Sequence, residues 1–264
     1  MNRTNRTLAL LSASAFALSP MSLPIANADI ISNLVGHWTF DNNANDSAGV
    51  ANNGTLLNGA AITTTAGDWM IGGGALALDG IDDHVSVADH PELDGNGSGG
   101  LTLSAFIKGT GWPASNNILA KNNNSQYRFR IQGSGNTIWY LHSDGSLEVD
   151  QVSGIALNLD QWYHVAVTSD NVNGGFVRFY VDGALVGTPQ LIDSTTGIQD
   201  TAGPLRIGSY TGTSENFQGF IDDVRIYNRV LSAGDIAQLS VIPEPATGLL
   251  VVLGGLVLMR RRLR

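Results

Sequence analysis

Residues able to break a glycosidic or ester bond are sparse in this chain. Between Asp29 and Ile242 it has three glutamates, Glu92, Glu148 and Glu215, and none has another glutamate within six residues. Hydrolysis of a sugar linkage with a covalent intermediate needs two carboxyls ~5 Å apart, one as nucleophile and one as acid. The adjacent pairs Asp82-Asp83 and Asp222-Asp223 do not supply them, because neighbours in a regular strand point to opposite faces. No Gly-x-Ser-x-Gly elbow is present, although a serine triad built from distant segments stays open. Cysteine is absent, which removes thiol catalysis and thiolate metal sites. His37, His84, His90, His142 and His164 are scattered, with no His-x-His or His-x-x-x-His set. These residue types predict a chain that binds rather than cuts.

Some carboxylates fit another role. Phe220, Asp222, Val224 and Ile226 alternate along one predicted strand, so Asp222 falls in register with apolar residues. A carboxylate there needs backbone N–H partners, a cation, or a bend that admits water. Asp41 ends the first predicted strand and is a second candidate oxygen ligand. The acidic stretch Asp79-Gly80-Ile81-Asp82-Asp83 reads as a turn. Trp69, Trp112, Trp139-Tyr140 and Tyr210, with Asn116, Asn117 and Asn122 to Asn124, could line a glycan surface. Trp38 and Trp162 read as structural residues, and His164 as a packing or hydrogen-bonding residue.

These side chains must be positioned by strands. Tyr127, Phe129 and Ile131 alternate with Gln126, Arg128 and Arg130. Tyr163, Val165 and Val167 oppose Trp162, His164, Ala166 and Thr168, and Val177, Phe179 and Val181 oppose Arg178, Tyr180 and Asp182. Leu34, Trp38 and Phe40 are expected on one face, with Val35 and His37 on the other. Period-2 alternation of this kind predicts antiparallel sheet with one buried face. Glycine supplies 32 of 264 residues, well above the usual ~7%. Much of it stands in turn pairs such as Asp144-Gly145 and Asp182-Gly183. One short helix is predicted, with Ser232 as cap, Asp235 closing a capping box, and Leu231 and Ile236 at staple positions.

Charge separates the ends from the middle. The whole chain has net charge −9, but its ends carry six arginines and one glutamate, leaving eight basic and 22 acidic residues between them, a net −14. That argues against nucleic acid or an anionic membrane as the domain's partner.

The N-terminus runs from Arg3 and Arg6 through an apolar Leu8 to Leu18 and on to Ala26-Asn27-Ala28. This is the layout of a secretory signal peptide, with Ala26 and Ala28 framing cleavage. Eleven apolar residues are too few for a membrane helix, which needs ~20. The C-terminus reads Pro243-Glu244-Pro245, then an apolar Ala246 to Met259, then an arginine cluster. As a helix those 14 apolar residues reach ~21 Å against a hydrocarbon core of ~30 Å. Snorkelling arginines and local thinning can close the gap, and the arginines hold the end on the cytoplasmic side.

The Pro-Glu-Pro triplet, apolar span and arginine cluster together resemble the PEP-CTERM sorting signal. That resemblance implies an exported protein of a Gram-negative bacterium, anchored in the inner membrane. An exosortase then processes the tail near the triplet and releases the protein to the cell surface or an extracellular matrix. An ordinary tail anchor is the alternative.

A second resemblance covers the middle of the chain. The segments LVGHWTFD, ALALDGIDDHVSV, LTLSAFIK, ILAK, DQWYHVAVT, VRFYVDGALVG, LRIGSY and GFIDDVRIYNRVLSAGDIAQL resemble, in order, the laminin-G-like jelly-roll domain of the concanavalin A-like lectin and glucanase superfamily. The resemblance implies an all-β, two-sheet antiparallel jelly-roll sandwich over residues 29–242, flanked by a signal peptide (1–28) and a transmembrane sorting tail (243–264). Related glucanases place a structural calcium on the aspartate that matches Asp222, and Asp41 is its expected neighbour. The glucanase pattern Glu-x-Asp-x-x-Glu is missing. The expectation is a non-catalytic binding or adhesive module, associated with extracellular polysaccharide. A glycan hydrolase and a matrix protein without a discrete ligand are the alternatives.

Overall fold

Short alternating segments broken by turns cannot build long helices, but they pair readily as sheets. The computed structural model describes residues 28–241, apart from 98, 113–114, 123–125, 134, 145–147 and 193–196. Its strands there are β1 (Leu34–Trp38), β2 (Gly54–Leu57), β3 (Ala61–Thr63), β4 (Ala75–Asp79), β5 (His84–Val87), β6 (Leu101–Gly111), β7 (Ser115–Lys121), β8 (Tyr127–Gln132), β9 (Thr137–Ser143), β10 (Glu148–Ala156), β11 (Tyr163–Ser169), β12 (Phe176–Val181), β13 (Ala184–Leu191), β14 (Leu205–Ile207) and β15 (Gln218–Tyr227). An eight-stranded sheet runs β13-β12-β11-β6-β15-β4-β3, and β1 pairs with β15. A seven-stranded sheet runs β10-β9-β8-β7-β14-β5-β2. All pairings are antiparallel.

The two sheets form a jelly-roll-like sandwich around one core. Val165, Val167 and Phe179 from the larger sheet meet Tyr127, Phe129, Ile131 and Tyr140 from the smaller. Each fully buried side chain of this size contributes ~1.5–3 kcal/mol. Alternation then sends Arg128 and Arg130 to the outer face of the seven-stranded sheet.

Two expectations need correction. The pairing of β1 with β15 shifts register between Leu34 and Gly36, so a bulge moves Val35 into the core beside Trp38. Leu34 packs instead against the outer cluster. Phe40 is buried but lies beyond the strand, at φ 54°. Trp162 is half-buried and precedes β11, its Nε1 donating to Gly67 O at 3.3 Å. It has a structural place, covering a loop. In β15, Ile221 and Val224 enter the core while Phe220 stays half-exposed. The register against β6 shifts between Asp222 and Arg225, and Asp223 takes φ 48°. The strand is thus irregular where strict alternation had placed Asp222 on the face of Val224.

The helix α1 (Ala233–Leu239) starts at Ser232, whose hydroxyl and the Asp235 carboxylate form the capping box. Leu231, Ile236 and Leu239 pack on Tyr180, Tyr227 and Ala166, with Ile30 and Leu34 alongside. Both ends of the described chain therefore sit on the outer face of the eight-stranded sheet. No helix among the described residues is long and apolar enough to cross a membrane. Ala26, Pro243, Glu244, Pro245 and the apolar run to Met259 lie outside the described residues, and Ala28 opens a short 3-10 turn that ends at Ile31.

Candidate functional site

Asp222 and Asp41 are brought to the same loop. Asp222 Oδ2 accepts the N–H groups of Met70 and Ile71, both at 2.9 Å. Asp41 Oδ1 accepts the N–H of Gly73 at 2.6 Å. Gly72, at φ +71°, presses so close to Asp41 Oδ1 that a Cβ there would collide with it. Loop N–H bonds therefore compensate one oxygen of Asp222. The other, Oδ1, is buried and has no hydrogen-bond partner. Burial dominates the carboxyl, with Asp223 adding repulsion, and its pKa is pushed up to about 7 against the loop bonds that lower it. An orphaned carboxylate oxygen, sharing a loop with a second carboxylate, fits a hard cation.

A second acidic group lies at the turn after β4. One carboxylate oxygen each from Asp79, Asp82 and Asp83 lies within 4.8 Å of the others, so the three could hold a metal ion. Asp83 is held above the usual carboxylate range by burial, though the Asp79 N–H lowers it and the Asp79 and Asp82 charges raise it. The turn expected from the sequence is present, and it also gathers these carboxylates.

The histidines form no metal set with one another. His164 is buried, meets Phe106 edge-on at 5.0 Å, and burial drives its pKa down to about 4. His37 is more connected. Its Nδ1 lies 2.8 Å from Ser47 Oγ and its Nε2 lies 2.6 Å from Asp223 Oδ1. That order of groups has the connectivity of a serine triad. The N–H groups beside the hydroxyl are already engaged, Ser47 N with His37 O and Ala48 N with Asp46 Oδ1. An oxyanion needs free donors there. The set instead ties the loop after β1 to Asp223, whose carboxyl is held low despite burial by His37 and Arg225.

Sequence reasoning missed two assemblies. The first is a buried cation. Lys121 is fully buried, and its ammonium ion-pairs with Asp89, approaches Asp94 at 3.4 Å and donates to Gly203 O at 2.6 Å. The second is an aromatic and arginine cluster on the outer face of the seven-stranded sheet. The guanidinium of Arg130 lies 3.9 Å from the Trp139 ring centroid, and that of Arg128 lies 3.9 Å from the Tyr210 ring centroid. Both arginines donate to Glu215 Oε2, and Asn117 adds a third donor at 3.2 Å. Burial would raise the Glu215 pKa, but Arg128, Asn117 and Arg130 hold it below the usual range. Of the expected surface residues, Tyr210 and Trp139 belong to this cluster. Tyr140 is in the core, Trp112 packs edge-on against Phe217, and Asn116 and Asn117 are buried. Asn123 and Asn124 lie outside the described residues.

This sandwich, with its Ile-Asp-Asp-Val-Arg strand, places the chain among the jelly-roll domains. It belongs to the concanavalin A-like lectin/glucanases superfamily, whose family model matches residues 79–237. Among solved structures it is similar to domain 4 of AbnA, a GH43 extracellular arabinanase from Geobacillus stearothermophilus, solved in complex with arabinotriose. The TM-score is 0.62 at 22% identity, over 79% of this chain and 98% of that one. It is also similar to the botulinum neurotoxin type G receptor binding domain, with TM-score 0.58 at 15% identity, over 79% of this chain and 51% of that one. Identities this low establish the fold alone. Among curated proteins, the adhesion G-protein coupled receptor V1 of Danio rerio is 37% identical over 82 residues, 30% of this chain. The match spans 1% of that receptor's length.

Proposed function

We propose that this chain is an exported, non-catalytic module that binds carbohydrate, working as an adhesive or polysaccharide-associated domain. One observation carries the reading. Tyr210, Arg130 and Glu215, each partly exposed, converge on one sheet face over the buried Arg128 and Trp139, joining an aromatic ring to charged hydrogen-bonding groups. Glycan sites combine those two elements. The similar arabinanase domain, solved with arabinotriose, supports the same class of ligand.

The placement of the ends favours outward display. Ile30 and α1 lie on the outer face of the eight-stranded sheet, and the tail follows α1. The arginine face lies on the opposite side of the sandwich from α1. The PEP-CTERM-like tail supports delivery through the inner membrane, with an exosortase as partner and extracellular polysaccharide as surroundings. Intact-mass spectrometry of the protein recovered from its native host should show a start at Asp29 and loss of the tail after the Pro-Glu-Pro triplet. A chain retaining residues 246–264 would show that the segment is a lasting anchor.

Calcium is the cation we assign to Asp222 and Asp41. It would neutralise the orphaned Oδ1 and clamp the Met70–Gly73 loop against β15, a structural role.

A glycan array probed with the purified full-length chain tests the binding reading. Retention on a defined glycan without release of reducing sugar is the expected result. Reducing-sugar release would transfer the chain to the hydrolases. Silence toward every glycan would leave a matrix protein without a discrete ligand.

A further inference from the structure

The outer face of the eight-stranded sheet holds a depression towards its β3 edge. Ala61, Ala77, Phe220 and Lys108 form one row across β3, β4, β15 and β6. Their sequence neighbours Leu76 and Ile221 enter the core, so alternation turns the row outward. Ala61 and Ala77 offer only methyl groups, and Gly59 and Gly219 beside them have no side chain. The missing volume leaves a cavity of about 300 Å³, which Asp79 and Asp83 also line. That is the small end of the ~300–1,000 Å³ range of ligand pockets.

One wall is aromatic. Phe220 is half-exposed, and the Lys108 ammonium lies 5.1 Å from its ring centroid, which steadies the ring. Lys108 is itself held by Gly67 O at 2.9 Å and by Asp68 at 3.1 Å. A second wall is the acidic turn. Asp83 is 6% exposed. Its Oδ2 accepts the Asp79 N–H at 3.0 Å, but its Oδ1 accepts no hydrogen bond among the described residues. That oxygen points towards Gly59, where a Cβ would stand 2.7 Å from it, and Gly59 lines the cavity with it. Among the described residues no cation ion-pairs with Asp79, Asp82 or Asp83. A buried carboxylate oxygen without a donor is costly, so this wall lacks hydrogen-bond donors and a ligand can bring them.

We infer that this depression is a second glycan-binding site, taking one neutral sugar ring. Phe220 meets the C–H face of the ring, and Asp79 and Asp83 accept its hydroxyls. Sugar hydroxyls supply the missing donors, and an aromatic wall suits the apolar side of the ring. Three carboxylates without a counter-charge repel an anionic sugar. The inference rests on the carbohydrate-binding reading above and adds a site on the other sheet. One domain then holds two glycan chains on opposite sides of the sandwich and cross-links them.

Affinity chromatography of the full-length chain on agarose-linked arabinan, mannan and β-glucan tests this. The native chain should be retained on at least one of these polymers. Phe220→Ala should weaken that retention roughly tenfold, because losing one of two sites removes the linked second contact. Ala61→Leu fills the depression from an exposed position and should weaken retention similarly, although it removes no contact. A merely structural Phe220 does not predict that result, and Ala61→Leu also tests the idea should Phe220→Ala fail to fold. Tyr210→Ala should keep a residual retention that Tyr210→Ala with Phe220→Ala lacks. Full retention of both Phe220→Ala and Ala61→Leu overturns the inference but leaves the carbohydrate reading standing. No retention of the native chain on any of the three polymers overturns both. Calcium binding by Asp222→Asn protein that Asp79→Asn then abolishes assigns the acidic turn to a cation and overturns the sugar contact.

Discussion

Adding calcium to chelator-treated protein at pH 8 should raise its unfolding temperature by roughly 5–15 °C, and Asp222→Asn should abolish that rise. The magnitude follows from one group. The Asp222 carboxyl has an ordinary pKa of 3.8 unfolded and about 7 folded. A raised folded value means the native state holds a proton that the unfolded chain has lost. The contribution is fully present below pH 3.8 and is lost as pH rises through about 7. At one pK unit per 1.36 kcal/mol, the ionised carboxylate costs about 4 kcal/mol at pH 8. A cation on Oδ1 reverses that cost. In a domain of this size, 1 kcal/mol moves the unfolding temperature by ~2–4 °C. Chelated protein should therefore lose stability between pH 4 and pH 8, and calcium should flatten that decline. Differential scanning calorimetry across this range, with the variant beside the native chain, separates Asp222 from other titrating groups. Asp223 and Glu215 act in the opposite direction, because their folded values are lowered. Asp222→Asn keeps an oxygen for the Met70 and Ile71 N–H groups and loses the charge. In chelator at pH 8 it should match or exceed the native chain. An unfolding temperature indifferent to calcium in the native chain would sink the assignment.

Lys121→Met should destabilise the domain by about 3–5 kcal/mol, lowering the unfolding temperature by roughly 6–20 °C. The side chains are similar in length, so packing changes little. The charge is what matters. Lys121 is fully buried and Asp94 is 3% exposed. Burial already raises the Asp94 pKa, while Gln126 and Lys121 counter it. Removing the ammonium leaves that carboxylate with the Gln126 amide as donor but no neighbouring cation, and takes the lysine donor from the Gly203 carbonyl. Breaking one side of a buried pair costs far more than the intact pair is worth. Lys121→Met combined with Asp94→Asn should recover a substantial part of the loss, because the uncompensated charge is gone. Chemical denaturation of the three variants measures this. A double variant no better than Lys121→Met would show that shape, not charge, makes this lysine necessary.

Much of the fold is legible in the residues alone. The alternation around Phe129 and Val165 sorts core from outer face. Ser232 and Asp235 mark the helix start, because a capping box needs only residues three apart. The scarcity of glutamate is legible too, as are the charged and apolar ends. The alternation of Arg128 and Arg130 with Tyr127 and Phe129 places both arginines outward. What lies over them is not local. Glu215 is 85 residues from Arg130, and only the closure of the Tyr210 to Glu215 loop over β7 brings it there.

The bulges mark the other limit. Period-2 reasoning assumes a regular strand, and it misplaced Val35 and the side of Asp222. One extra residue in a strand inverts every side chain beyond it. No propensity at Leu34 or Asp223 announces that shift; it arises from pairing with partner strands.

The sequence by itself determined an all-β chain with a capped terminal helix, no paired glutamates and no thiol chemistry. Those properties depend on residue type and on neighbours a few positions away. Only the tertiary structure decided which charges meet. Asp222 joins a loop about 150 residues distant, Lys121 is enclosed by Asp89 and Asp94, and His37 reaches Asp223 across 186 residues. Each meeting is enforced by sheet pairing and loop closure, and a buried charge tolerates such a place only when its partner arrives with it.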